Sequence, residues 1–321
     1  MMIPSLKVLP VPPAGRTGWP WTEETPALPA TMPNDKAWPR ISIVTPSFNQ
    51  GQFIEETIRS ILLQGYPDLE YIIIDGGSTD ESVEIIKKYE PWLTYWVSEK
   101  DRGQAHAINK GMSKATGNVL CWLNSDDTYL PAVIQHVSAQ INIEIPQLLF
   151  GNCSHYVEST ARNYGSDVVE CHKKRNIILC DYIIQPSSFW TRKAWAETGV
   201  LDETLKYSFD WDWFIRARNA NVGFHPEDKY LSMYRIHDSH KTGTGGKERI
   251  LELSHVYETH VGLIAARLFR EHQARKSQIR MTRKWIRRLF LSKWEYPILS
   301  FLLPDMRSLS KEEAYDILAM G

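Results

Sequence analysis

The chain of 321 residues carries 37 Lys and Arg against 38 Asp and Glu, a formal charge of −1. That balance excludes a globally basic nucleic-acid binder and leaves any electropositive patch local, so no nucleic-acid partner is expected. Hydrophobic residues at 43% and charged residues at 23% suffice for a packed core, and no run of about 18 apolar residues offers a membrane-spanning helix. The N-terminus lacks the charged region and apolar block of a signal peptide. Cys121, Cys153, Cys171 and Cys180 show no C-x-x-C spacing, which implies a reducing compartment and a cytoplasmic protein. Twelve tryptophans suit a core, a sugar-stacking surface or an interface, and composition does not choose among them.

Residues 1–40 hold nine prolines and little periodicity, reading either as an extended arm packed through Trp19 and Trp21 or as a free tail. Ile41 to Pro46 reads as a first core strand, followed by a turn at Ser47 to Gly51 and a helix from Phe53 to Leu63. Tyr71 to Ile74 is a second buried strand and Ser82 to Tyr89 a second helix. Leu93 to Val97 is a third strand, and Gln104 to Ala115 a third helix closed by Gly117. A fourth strand, Val119 to Leu123, runs into Asn124-Ser125-Asp126-Asp127. Strands alternating with helices imply a mostly parallel sheet covered on both faces. Ligands bind at the carboxyl ends of such strands, where Thr45, Asp75 and Asp126 fall.

Two adjacent carboxylates at a strand mouth repel each other, and a divalent cation is the simplest compensating charge. Oxygen ligands on a short open turn suit Mg²⁺ or Mn²⁺. The alternative is that Asp126 or Asp127 caps the next helix.

The second half continues with a helix from Ile134 to Ile145, a strand at Leu148 to Asn152, and a strand from Gln185 to Trp190. The basic run His172-Lys173-Lys174-Arg175 reads by default as a solvated face. A strand from Tyr230 to Ile236 leads into His237, and a Gly-rich stretch at 243–246 suggests a loop closing over a ligand. A helix from Glu248 to Phe269 is followed by a basic amphipathic segment at 270–288. Residues 270–303 therefore offer either a peripheral contact with an anionic membrane or packing on the chain's own domain or on a second subunit.

Ile43 to Asn49, Asp75 to Asp80, Asn109-Lys110-Gly111 and Asn124 to Asp127, in this order, resemble the motifs of family 2 glycosyltransferases. The resemblance spans roughly residues 41–240. It implies the α/β GT-A fold of nucleotide-diphospho-sugar transferases, with a C-terminal helical extension. Three regions are expected: an arm at 1–40, a transferase domain at 41–247 and a helical, partly basic extension at 248–321.

The expected reaction is inverting transfer of a sugar from a nucleotide-diphosphate donor to a hydroxyl of a glycan or lipid-linked acceptor, in cell-surface polysaccharide or glycan synthesis. Thr45, Pro46 and Phe48 would meet the nucleobase, with a core aromatic as the alternative for Phe48. Asp75 would accept from base or ribose, or simply shape an Asp-Gly turn. Arg102 or Lys110 would face the diphosphate, or be surface charges.

Many members carry Asp-x-Asp where this chain has Asn124-Ser125-Asp126, so Asn124 keeps a hydrogen bond to ribose but brings no charge. Asp126 is then the expected direct metal ligand. Asp127 is a second ligand or a loop-orienting group, and His237 ligates the cation or donates to the leaving phosphate. Asp210 takes the place of the catalytic base, with Phe209 replacing the usual acidic neighbour, while Asp212 fits a helix N-terminus. Two rivals remain: a sugar-1-phosphate nucleotidyltransferase, and a nucleotide-sugar-binding or assembly protein that has lost catalysis.

Overall fold

The computed structural model describes residues 3–238 and 240–320, without the side chains of Thr242 and Thr244. Its first half is an alternating series: β1 (Ile41–Ser47), α1 (Ile54–Leu62), β2 (Leu69–Asp75), α2 (Ser82–Tyr89), β3 (Tyr95–Ser98), α3 (Gln104–Lys114) and β4 (Val119–Trp122). Every residue of β1 and β4 is buried, the pattern of strands covered on both faces. Then follow β5 (Thr128–Tyr129), α4 (Val133–Gln140), β6 (Gln147–Val157), β7 (Arg162–Gly165), α5 (Val168–Lys174), β8 (Ser188–Thr191), α6 (Arg192–Thr198), α7 (Phe209–Asn219) and β9 (Gly223–Ile236). The C-terminal part is helical: α8 (Lys241–Thr244), α9 (Gly246–His260), α10 (Leu263–Ala274), α11 (Lys276–Arg288), α12 (Glu295–Leu302) and α13 (Lys311–Ile317).

The strands form one mixed sheet in the order β3-β2-β1-β4-β8-β6-β9-β5, with β7 paired to β6. Pairing is parallel from β3 through β4 and antiparallel at β8. From β1 the chain builds outward to β2 and β3 on one side and places β4 on the other. Such a reversal leaves a crevice beyond the carboxyl ends of the two central strands. Gly111 closes α3 against the sheet: a Cβ there would collide with the side chain of Val44.

Several boundaries differ from the periodicity reading. The helix expected to reach Ile145 stops at Gln140, ahead of an extended Ile141. The helix expected from Glu248 to Phe269 is two helices, broken where Gly262 takes φ 120°. Lys241–Thr244, overlapping the start of the Gly-rich stretch, forms a short helix, and Gly246 opens α9. Gln185–Ser187 is a 3-10 turn, so β8 begins only at Ser188.

The N-terminal arm is tied down by one buried cation. Arg59 is fully buried and donates to the carbonyls of Pro10 (2.9 Å), Pro20 (3.1 Å) and Trp21 (3.0 Å). It also donates to the Tyr89 hydroxyl at 3.1 Å and lies over the Trp21 ring. Trp19 adds a bond from its indole N–H to the Tyr129 carbonyl at 2.8 Å. The C-terminal helices join the same hydrophobic core. The Tyr257 hydroxyl donates to Leu179 O at 2.7 Å, and Asp316 accepts from Arg175 and from the Asn176 amide at 3.0 and 2.9 Å.

Candidate active site

A cavity of about 920 Å³ opens at the carboxyl ends of β1 and β4, at the upper end of the usual range for small-molecule sites. Pro46, Ser47 and Phe48 line it from the end of β1, Gly76 and Gly77 from beyond β2, and Asn124, Ser125 and Asp126 from beyond β4. The opposite wall is built by Ile183 to Pro186, Tyr207, Phe209, Asp210, Tyr234, His240 and Lys241. Phe48 is 60% exposed, an unusual state for a ring and one suited to stacking.

Asp126 and Asp127 are adjacent in sequence but face different environments. Asp127 is fully buried; its Oδ1 accepts from the Arg235 amide at 3.0 Å and its Oδ2 from Asn124 Nδ2 at 3.3 Å. Burial, reinforced by the neighbouring Asp126 charge, pushes the Asp127 carboxyl well above the ordinary carboxylate range. Asp127 thus orients the loop from inside.

Asp126 reaches the cavity, and its Oδ2 lies 3.1 Å from His237 Nε2. The ring of Phe53 packs on the imidazole with centroids 4.5 Å apart. Arg235 clamps the turn: its Nε donates to Asp126 O at 3.2 Å, and its guanidinium pairs with Glu56 at 3.1 Å.

Asn124 belongs to the same network. Its carbonyl oxygen accepts from Gln104 Nε2 at 2.7 Å, and Gln104 Oε1 accepts from Lys241 Nζ at 2.9 Å. An aspartate at 124 would set a second charge against the buried Asp127 and lose the donated bond. The amide is therefore chemically matched to this site.

Asp210 lies at the start of α7, and its Oδ1 accepts from the Trp211 amide at 2.9 Å. Desolvation raises its carboxyl above the ordinary range. Asp212, two residues on, is spent on structure, accepting from Arg216 Nε and bonded to His260 Nε2, both at 2.8 Å. The loop before Asp210 is held from α9 by Glu252. Its carboxylate accepts from the amides of Lys206 (2.7 Å), Tyr207 (2.6 Å) and Ser208 (2.7 Å), and from the Ser208 hydroxyl at 2.8 Å.

The fold thus brings Pro46, Phe48, Asn124, Asp126 and Asp210 to one cavity, with His237 bonded to Asp126 at its edge. Thr45, Asp75, Arg102, Lys110 and Asp127 lie behind or beside it. The Thr45 hydroxyl accepts from Tyr71 at 3.1 Å. Asp75 is buried and accepts from Gly77 N, Ser78 N, Ser78 Oγ and Ser98 Oγ, bonds that shape the 75–80 turn. Arg102 pairs with Glu203 at 2.6 Å, and Lys110 with Glu99. Arg235, Glu56, Gln104 and Glu252 were not foreseen. Arg235 stands two residues before His237, which is a local signal; nothing near Glu252 in sequence points to residues 206–208.

Among the described residues no group of three or more His, Cys, Asp and Glu side chains is arranged to hold a metal. Asp126 lines the cavity with His237 bonded to it, a pair that fits a hard cation taking its remaining ligands from water and substrate phosphates.

A mixed sheet of this topology, with its crevice at the carboxyl ends of the central strands β1 and β4, defines an α/β fold of GT-A type. The model of the family Glycosyl transferase family 2 matches residues 42–192. An uncharacterized glycosyltransferase of Rickettsia typhi is 30% identical over 224 residues, covering 64% of this chain and 67% of the relative. Two solved structures show the same fold. S. aureus TarS 1–349 in complex with UDP-GlcNAc has a TM-score of 0.55 at 16% identity, over 68% of this chain and 65% of that one. The mannosyltransferase PcManGT from Pyrobaculum calidifontis, in complex with GDP-Man and Mn²⁺, has a TM-score of 0.55 at 15% identity, over 88% and 86%. The chain belongs to glycosyltransferase family 2, enzymes that transfer sugar from a nucleotide-sugar donor.

Proposed function

We propose that this chain is an inverting, cation-assisted glycosyltransferase acting on a hydroxyl of a glycan or lipid-linked acceptor in cell-surface glycan synthesis. The observation that carries the reading is the placement of Asp126 and Asp210 on one cavity, a cation-compatible corner facing a desolvated carboxylate. Residues 41–247 form the transferase domain, residues 1–40 a packed arm, and residues 248–321 a helical extension. Four unpaired cysteines, three of them buried, support a cytoplasmic location.

In this mechanism the nucleobase stacks on Phe48, and backbone at Gly76 and Gly77 approaches the ligand closely. Asp126 and His237 would hold Mn²⁺ or Mg²⁺, which when bound would supply Lewis-acid neutralisation of the leaving diphosphate. Asp210 takes the proton from the acceptor hydroxyl as its oxygen attacks the anomeric carbon from the face opposite the diphosphate. The bond from the anomeric carbon to the phosphate oxygen breaks, and its electron pair leaves on the nucleoside diphosphate. A carboxylate with a raised pKa is a stronger base than an exposed one and suits this step near neutral pH. Asp75 and Asp127 act one layer back, fixing the two loops that meet the donor.

A thermal-shift panel of nucleotide-diphospho-sugars with and without Mn²⁺ tests the donor half. Stabilisation by one nucleotide series that grows with Mn²⁺ supports it; indifference to every nucleotide sugar rejects it. The anomeric configuration of the product, read by NMR, tests inversion. Release of pyrophosphate instead of nucleoside diphosphate would favour the nucleotidyltransferase reading.

A further inference from the structure

Beyond glycosyl transfer, we infer that the α11–α12 face docks on an anionic membrane surface. Helix α11 buries only Ile279 and Ile286 against its own domain. Met281 (58%), Trp285 (57%) and Leu289 (56%) are exposed, and spacing of four residues sets them on one side of the helix. Past the helix end Phe290, at φ 56°, is 93% exposed, and Trp294 is 61% exposed. Among the described residues, seven of the eighteen exposed large apolar side chains fall between residues 281 and 301. Concentrated exposure of this kind marks an interaction surface.

Charge selects the partner. From Lys276 to Trp294 there are seven Lys and Arg and no Asp or Glu. Arg283 pairs with Glu295 at 3.1 Å, while among the described residues no carboxylate is within ion-pair distance of Lys284, Arg287, Arg288 or Lys293. Arg288 lies over the Trp285 ring at 5.5 Å, so a cation and an aromatic ring sit at the same level of the face. Aromatic and aliphatic tips with Lys and Arg interleaved among them in sequence match the interface of an anionic bilayer, which accepts apolar groups below the headgroups and cations among them. A two-fold contact with a second copy would press these like charges together. Nucleic acid would offer stacking to Trp285 and Trp294 but nothing comparable to Met281 and Leu289. No helix of the described residues is long and apolar enough to cross a membrane, so the contact is peripheral.

The test is sedimentation of the full-length protein with vesicles of phosphatidylcholine plus phosphatidylglycerol, and with phosphatidylcholine alone. The expected result is binding to the anionic vesicles, weakening as salt rises, and little to the neutral ones. Arg287→Gln with Arg288→Gln lowers the partition constant about twenty-five-fold, at roughly fivefold for each charge removed. Phe290→Ser with Trp294→Ser also lowers it but leaves the salt dependence unchanged. Both pairs are exposed, so the melting temperature is expected to stay at the wild-type value. Equal binding to both vesicle types, or none to the anionic ones, overturns the inference. So does self-association abolished by Phe290→Ser with Trp294→Ser, or binding to single-stranded DNA in place of vesicles.

Discussion

His237 Nε2 lies 3.1 Å from Asp126 Oδ2, although 111 residues separate them in sequence. The last residue before the β4 loop's second carboxylate thus meets the first residue beyond β9. Both sit on backbone that Arg235 fixes through its bond to Asp126 O and its ion pair with Glu56. Asp126→Ala and His237→Ala are each expected to weaken Mn²⁺-dependent donor binding by roughly tenfold or more, read by calorimetry. A chelator is expected to lower wild-type affinity and to have little further effect on the variants. Equal donor affinity in wild type and both variants would remove the cation from this corner.

Glu252 provides a second test, away from the ligand. Its carboxylate gathers three amides and one hydroxyl from residues 206–208. Glu252→Ala leaves those donors without a common acceptor, and hydrogen bonds to charged groups are worth about 1.5–3 kcal/mol each. The expected outcome is a lower kcat with a smaller change in donor affinity, because the loop that aims Asp210 loosens. Glu252→Gln, which retains one acceptor, is expected to recover part of the rate. An unchanged kcat in Glu252→Ala would contradict this positioning role.

Arg59 predicts the behaviour of the arm. Arg59→Met keeps the aliphatic stem but leaves the carbonyls of Pro10, Pro20 and Trp21 without their donor. A loss of about 3 kcal/mol or more is expected, since each unsatisfied buried group costs about 1–3 kcal/mol. Limited proteolysis is expected to cut the variant within residues 3–25 under conditions that spare the wild type. Resistance equal to the wild type would show that the remaining arm contacts suffice.

The Asp210 carboxyl, raised by burial, sets a pH dependence. The base is competent above its raised pKa, so the transfer rate is expected to fall as pH drops through that value, at a higher pH than for an exposed aspartate. Stability runs the other way. A carboxyl raised in the folded state contributes stability that is present at low pH and lost as pH rises through the folded value. Asp210→Asn is therefore expected to melt at or above the wild-type temperature at neutral pH, with the difference shrinking in acid. A variant less stable than wild type across that range would contradict desolvation as the cause.

Much of this was legible in sequence because it is local. The apolar runs at Ile41, Tyr71 and Val119 gave the strands, and polar residues at their ends gave the crevice. The exchange of partners was not legible. Asp75 reads as a ligand or as the shaper of a turn, and its acceptance from Ser78, Ser98 and two amides shows only in the folded turn. Asp127 reads equally as a second ligand or a loop-orienting group until Arg235, more than 100 residues away, offers it an amide. Arg59 and Glu252 bind backbone carbonyls and amides, which leave no residue-type signature in the partner segment.

The most direct measurement is single-turnover sugar transfer by Asp210→Asn beside the wild type, with donor affinity determined on the same samples. Loss of a general base is expected to slow transfer about 10²–10⁴-fold while donor affinity stays within a few-fold. Transfer at the wild-type rate, with the variant folded and binding donor, would contradict Asp210 as the base.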